Sequence, residues 1–143
     1  MNSFTDYIEN AIQWALANKD RRDYQYKCLA FVEDAYEQSN SFEMFGGDTA
    51  KESAEMYSPL HSGSPERGAF VFFKSEGPIN GITKEWGHVG LSLGNDKVIH
   101  TWDTIRIDNY RDIEKLQGAE GWTFPEYIGW AGPDIFLNGF RKR

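Results

Sequence analysis

One cysteine and three histidines make the search for a nucleophile in this 143-residue chain short. Cys28 falls at the start of an apolar run with helical spacing, where unpaired backbone N–H groups and the positive end of the helix dipole favour a thiolate. The competing expectation is a small buried hydrophobe on the core face of that helix. His88 and His100 stand on two neighbouring strand-like segments, twelve residues apart. His88 shares the small, polar side of its strand with Gly90 and Ser92, and Gly90 leaves room there for an approaching helix or substrate. A thiol, an imidazole base and a second group that fixes the base's tautomer are the parts of a cysteine hydrolase. The same three side chains can also ligate a metal, but the chain lacks paired-Cys zinc spacing and the H-E-x-x-H motif. It has no phosphate-binding loop, no G-x-G-x-x-G and no G-x-S-x-G elbow.

Whether the histidines meet depends on one turn. If Leu93 pairs with Lys97 across Gly94-Asn95-Asp96, His100 lies opposite Gly90 and diagonal to His88 on one face. A plain two-residue turn at Asn95-Asp96 pairs His100 with Leu91 instead and separates the histidines. The catalytic arrangement therefore requires an odd-length loop or a bulge.

The elements that must hold these residues are legible as periodicities. Ile8, Ala11, Ile12, Ala15 and Leu16 recur at helical steps, with Ser3, Thr5 or Asp6 as cap and Asn18–Asp20 as the end. A second helix spans about Lys27 to Gln38, a loop follows from Asn40 to Asp48, and Thr49-Ala50-Lys51-Glu52 opens a short third helix over Ala50 to Tyr57. After Pro65–Gly68 the period changes. Ala69–Phe73 reads as a strand buried on both faces, and His88–Leu93, Lys97–Trp102, Ile105–Ile107 and Tyr127–Trp130 as further strands. Helices first and an antiparallel meander after them make an α+β domain over 1–143.

Composition excludes whole classes. The chain is 40% hydrophobic and 15% aromatic, enough for a core. A net charge of −7 lacks the footprint of a nucleic-acid binder. No stretch approaches a membrane span, and the N-terminus has no basic leader of a signal peptide. The expectation is a soluble protein without a signal peptide, cytoplasmic or released by a non-standard route. The single Cys fits a reducing compartment or a chemical use for the sulfur.

Tyr26-Lys-Cys28-Leu-Ala-Phe31-Val32, Phe70-Val-Phe-Phe73, Gly87-His88-Val-Gly-Leu-Ser-Leu-Gly94 and Val98-Ile-His100 occur in an order that resembles the NlpC family of papain-like bacterial cell-wall cysteine peptidases. The resemblance covers about Tyr24 to Trp130. It implies an α+β papain-like fold with Cys28 as nucleophile, His88 as base and His100 as the orienting third member, and it implies no metal or organic cofactor. The substrate it implies is a peptidoglycan stem peptide or another amide, cleaved through an acyl-enzyme. Lys27-Cys28-Leu29-Ala30 stands where that family has Asp-Cys-Ser-Gly, and is closer to the cysteine- and histidine-dependent amidohydrolase/peptidase family. Gly68-Ala69-Phe70 stands in place of the usual Gly-Asp-Leu. Tyr24 and Tyr26 are the candidates for the family's substrate-binding tyrosine, and Trp86, Trp102 and Trp130 for walls of the groove. Cysteine before histidine separates the chain from the permuted acyltransferase branch, where the order is reversed. Two other functions fit the same residues: an intracellular deamidase or toxin-like peptidase, and a non-catalytic binding domain.

Overall fold

The computed structural model describes residues 4–143. In chain order its elements are α1 (Thr5–Ala17), α2 (Cys28–Asn40), β1 (Phe42–Glu43), α3 (Ala50–Met56), β2 (Phe70–Lys74), β3 (Glu76–Ile79), β4 (Ile82–Glu85), β5 (His88–Gly94), β6 (Lys97–Thr101), β7 (Ile105–Asn109), α4 (Tyr110–Ile113), β8 (Glu126–Ala131), α5 (Pro133–Phe136) and β9 (Arg141–Lys142). The expected helices and strands are present within a residue or two, in an α+β arrangement.

The central sheet has five antiparallel strands in the order β7-β6-β5-β2-β8. β5, β6 and β7 form the expected meander, while β8 returns across the sheet to pair with β2. One face carries Phe70, Phe72, Val89, Leu91, Ile99 and Ile105 against the apolar stripes of α1 and α2. Alternation sends Val71, Phe73 and Val98 to the other face, where Tyr110 and Ile113 of α4 cover them. β2 is thus buried on both sides, as its unbroken apolar run requires. Phe70 stacks on Phe136 of α5 at 3.8 Å, and the hydroxyl of Tyr36 donates to the Gly68 carbonyl at 2.6 Å.

Several local expectations change. α1 has no side-chain cap, because Phe4 occupies that position; Ser3 lies outside the described residues. The stretch after α2 contains β1, which pairs with β9 near the chain's end and buries Phe42. The hairpin β3–β4 adds a small second sheet. At α3 the Thr49 hydroxyl accepts from the Glu52 N–H at 3.1 Å, while the Glu52 carboxylate accepts from the Asp48 N–H at 3.0 Å, one residue earlier than in a reciprocal capping box.

The turn that sets the histidine register combines both devices considered above. Asn95 and Asp96, at φ 52° and 66°, form a two-residue turn joining Gly94 to Lys97, and Leu93 is an extra residue between Ser92 and Gly94. That bulge restores the parity a two-residue turn alone would lose, so Gly90 pairs with His100. Side chains satisfy two of its backbone groups. Arg67 donates to the Leu93 carbonyl at 2.6 Å, and the Gly94 N–H donates to the Ser92 hydroxyl at 3.1 Å.

Candidate active site

His88, His100 and Asp108 lie on one diagonal across three adjacent strands. His100 pairs with Arg106, so Asp108 stands two residues further along β7 on the same face; His88 is offset in the opposite sense on β5. The side chains close this diagonal into a chain. His88 Nε2 lies 2.9 Å from His100 Nδ1, and His100 Nε2 lies 2.8 Å from Asp108 Oδ2. Arg106 Nε is 2.9 Å from the same Asp108 oxygen. Both imidazoles are buried, His100 completely. Burial pushes both below the ordinary histidine range; for His88 the neighbouring His100 adds to the effect, while for His100 the Asp108 carboxylate opposes it. Asp108 is held below the usual carboxylate range, first by its hydrogen bond with His100.

Gly90 has a different use from the one its residue type suggests. The space above it is filled by His100 and Val98: a methyl group there would meet Val98 Cγ1 and lie 3.0 Å from His100 Cβ. The glycine makes room for the neighbouring histidine rather than for substrate.

Cys28 is the first residue of α2, half-buried. The backbone N–H groups of Val89, Leu29 and Cys28 itself favour its thiolate, yet burial outweighs them and pushes the thiol up. The helix-start donors Cys28 and Leu29 are thus present, and burial opposes them. The contribution from Val89, the residue after His88, ties the start of β5 to the first turn of α2. Cys28 and His88 line one cleft of about 680 Å³.

Aromatic rings wall this cleft. Tyr26, Trp86 and Trp102 all line it. Trp102 lies edge-on to the His88 ring at 5.3 Å. Trp86 donates its indole N–H to the Gly77 carbonyl at 2.9 Å, with the Lys84 ammonium 4.4 Å above its ring. Tyr26 has a left-handed backbone, φ 63°, and its ring stacks on Trp122 at 5.7 Å. The other tyrosine candidate and the third tryptophan lie elsewhere. Tyr24 is not on the cleft: its hydroxyl donates to Asp34 at 2.6 Å and its ring packs edge-on against Phe31, leaving Tyr26 as the tyrosine beside the cysteine. Trp130 packs on His61 at 4.4 Å and donates to the Ser62 carbonyl, because the β8 register places it beside the His61 segment.

Three residues were missed in the sequence. Trp122 follows the Gly118–Gly121 stretch and lies flat on Gly77, where any side chain would collide with the indole. Asp108 reads as one more charged position in the alternation Ile105-Arg106-Ile107-Asp108, with nothing in the sequence to mark it as a partner of His100. Glu33 left no signal, because a glutamate on a helix is ordinarily solvated. Here it lines the cleft, and burial with Glu37 and Asp34 nearby raises its carboxyl to about 7.

Among the described residues no three His, Cys, Asp or Glu side chains are gathered to hold a metal, and no helix is long and apolar enough to cross a membrane. No curated protein matches the chain. The model of the NlpC/P60 family matches residues 13–117, a span that includes Cys28, His88, His100 and Asp108 and stops before Trp122 and β8. That match covers well over half of the sequence, and the chain belongs to the NlpC/P60 family, a family of cysteine peptidases and amidases.

Proposed function

We propose that this protein hydrolyses amide bonds in peptidoglycan stem peptides, with Cys28 as nucleophile, His88 as general base and acid, and His100 as the residue that orients His88. The observation that carries this reading is the shared cleft of Cys28 and His88, with His88 Nε2 engaged by His100 so that Nδ1 is left for the thiol. Burial raises the thiol and lowers His88, which favours a neutral resting pair and a thiol that gives up its proton as it attacks.

The thiol proton moves to His88 Nδ1 as the sulfur adds to the scissile carbonyl. The resulting oxyanion is stabilised by backbone N–H groups of the first turn of α2, where Cys28 and Leu29 have no intrahelical acceptor. The imidazolium returns the proton to the amine as the C–N bond breaks, leaving a thioester. Water, deprotonated by His88, then releases the acid and the free thiol. Glu33, Asp48 and Asp103 face this cleft against Lys27, which suits an amide substrate bearing an ammonium group.

The test is incubation of purified peptidoglycan with the protein and with Cys28→Ala, followed by mass spectrometry of the soluble peptides. New amine and carboxyl ends from the wild type alone support the reading. Intact stem peptides in both samples contradict the proposed substrate and direct the search to other amides, and equal cleavage by both contradicts the nucleophile.

A further inference from the structure

A hydrogen bond between two neutral imidazoles has a direction. Each ring donates from one nitrogen and accepts at the other, so the contact between His88 Nε2 and His100 Nδ1 runs one of two ways. If His88 donates, its Nδ1 carries a bare lone pair and can take a thiol proton. If His100 donates, His88 must hold its hydrogen on Nδ1, and the base is lost.

Nothing in the two rings themselves selects between these states; the far end of the chain does. Asp108 Oδ2 lies 2.8 Å from His100 Nε2, and an ionised carboxylate only accepts. The hydrogen of a neutral His100 must then sit on Nε2, its Nδ1 must accept, and His88 must donate. Asp108 is itself fixed by Arg106, with Nε 2.9 Å from Oδ2 and Nη2 3.2 Å from Oδ1. Arg106 also faces Asp103 at 3.4 Å, so the charges around His100 are Asp108, Arg106 and Asp103, with His88 on the remaining side. Trp102 packs against both rings and brings no charge.

We propose that Asp108, clamped by Arg106, is a positioning residue that sets the hydrogen-bond direction through His100 and thereby leaves His88 Nδ1 free to act as base. This rests on the reading of His88 as the base. No proton travels along the chain in this scheme. When His88 takes the thiol proton, the positive charge is stabilised through the aligned His100 dipole and the Asp108 carboxylate behind it.

Nitrogen-15 NMR of the histidine rings tests the assignment without requiring turnover. In the wild type both His88 and His100 should carry hydrogen on Nε2. Asp108→Asn retains an acceptor oxygen for His100 and should keep these tautomers. Asp108→Leu removes the acceptor and should redistribute the His100 hydrogen, with alkylation of Cys28 at neutral pH slowed by about 10-fold or more, against roughly 3-fold or less for the asparagine variant. Arg106→Gln, which leaves the carboxylate in place, serves if the leucine variant does not fold, and should give a smaller change in the same direction. A wild-type His88 with hydrogen on Nδ1 overturns the proposal, as do unchanged tautomers in both the leucine and glutamine variants. Because the rings are observed directly, failure to cleave peptidoglycan leaves this test standing, and unchanged tautomers leave the proposed hydrolysis standing.

Discussion

The two sides of the cleft are built on opposite electrostatic terms. On the sheet side, His88, His100, Asp108 and Arg106 form an unbroken series of contacts between 2.8 and 2.9 Å, and Asp108 is held below the usual carboxylate range. On the helix side, Glu33 has no hydrogen-bond or ion-pair partner among the described residues, and its carboxyl rises to about 7. Cys28 on the same helix is likewise pushed up by burial. Nearby, the Tyr57 hydroxyl is buried without a hydrogen-bond partner, and it and Glu33 Oε2 each lie 2.7 Å from the point where a Gly46 Cβ would stand. At Asp108 the partners outweigh burial, whereas at His88, His100, Cys28 and Glu33 burial sets the sign. The sheet side is completed within the fold, while the helix side holds groups whose burial is uncompensated, the condition in which a bound substrate changes most.

The largest predicted disturbance comes from breaking the sheet side at Gly90. Gly90→Ala forces a methyl group between Val98 and His100, which should cost about 1–3 kcal/mol of stability as overpacking does. It should also tilt His100 out of line. Denaturant unfolding reads the first effect and histidine NMR the second; a variant with wild-type stability and tautomers would mean the pairing is not sterically set.

A smaller effect is expected at Glu33. Its folded carboxyl titrates above the unfolded value, so wild-type stability falls as pH rises from about 4.5 to about 7 and is level beyond. Glu33→Gln should flatten that slope and be more stable above neutrality by roughly 1–2 kcal/mol, allowing for the solvent-facing part of the group. Melting curves between pH 4 and 8 decide it; parallel curves for both proteins would show that Glu33 has a partner in solution. Smallest is Tyr57→Phe, which removes an unpartnered hydroxyl and should be neutral or stabilising by up to about 1 kcal/mol in the same melts. A clear loss of stability would mean that the hydroxyl is hydrogen-bonded.

The same division separates what was readable in the sequence from what was not. Periodicity located α2 and the strands of the histidines, because apolar alternation is forced wherever one face is buried. It also narrowed the register to two choices that differ by one residue. The bulge at Leu93 chose between them, and its supports, Arg67 and Ser92, lie respectively 26 residues away and one residue before it in the sequence. Asp108 was hidden by an ordinary strand pattern, since only the three-strand diagonal gives it meaning. Trp130 and Tyr24 lie off the cleft for a related reason: an aromatic residue near a motif in sequence takes its side from the pleat and from its polar handle. Tyr24 found Asp34 and Trp130 found the Ser62 carbonyl. Glu33 was invisible because its burial comes from neighbours distant in sequence, including Gly46 and Tyr57.

The pairing of the two sides is tested most directly by the rate at which Cys28 is alkylated at neutral pH in the wild type and in His88→Ala. The chain has one cysteine, so the label reports a single site. A base within reach of the thiol predicts a rate about 10-fold or more lower in the variant, at the modest end of what general-base assistance contributes. Equal rates in two folded proteins would show that the thiol of α2 and the imidazole of β5 do not act as a pair, and the proposed hydrolytic mechanism would be wrong.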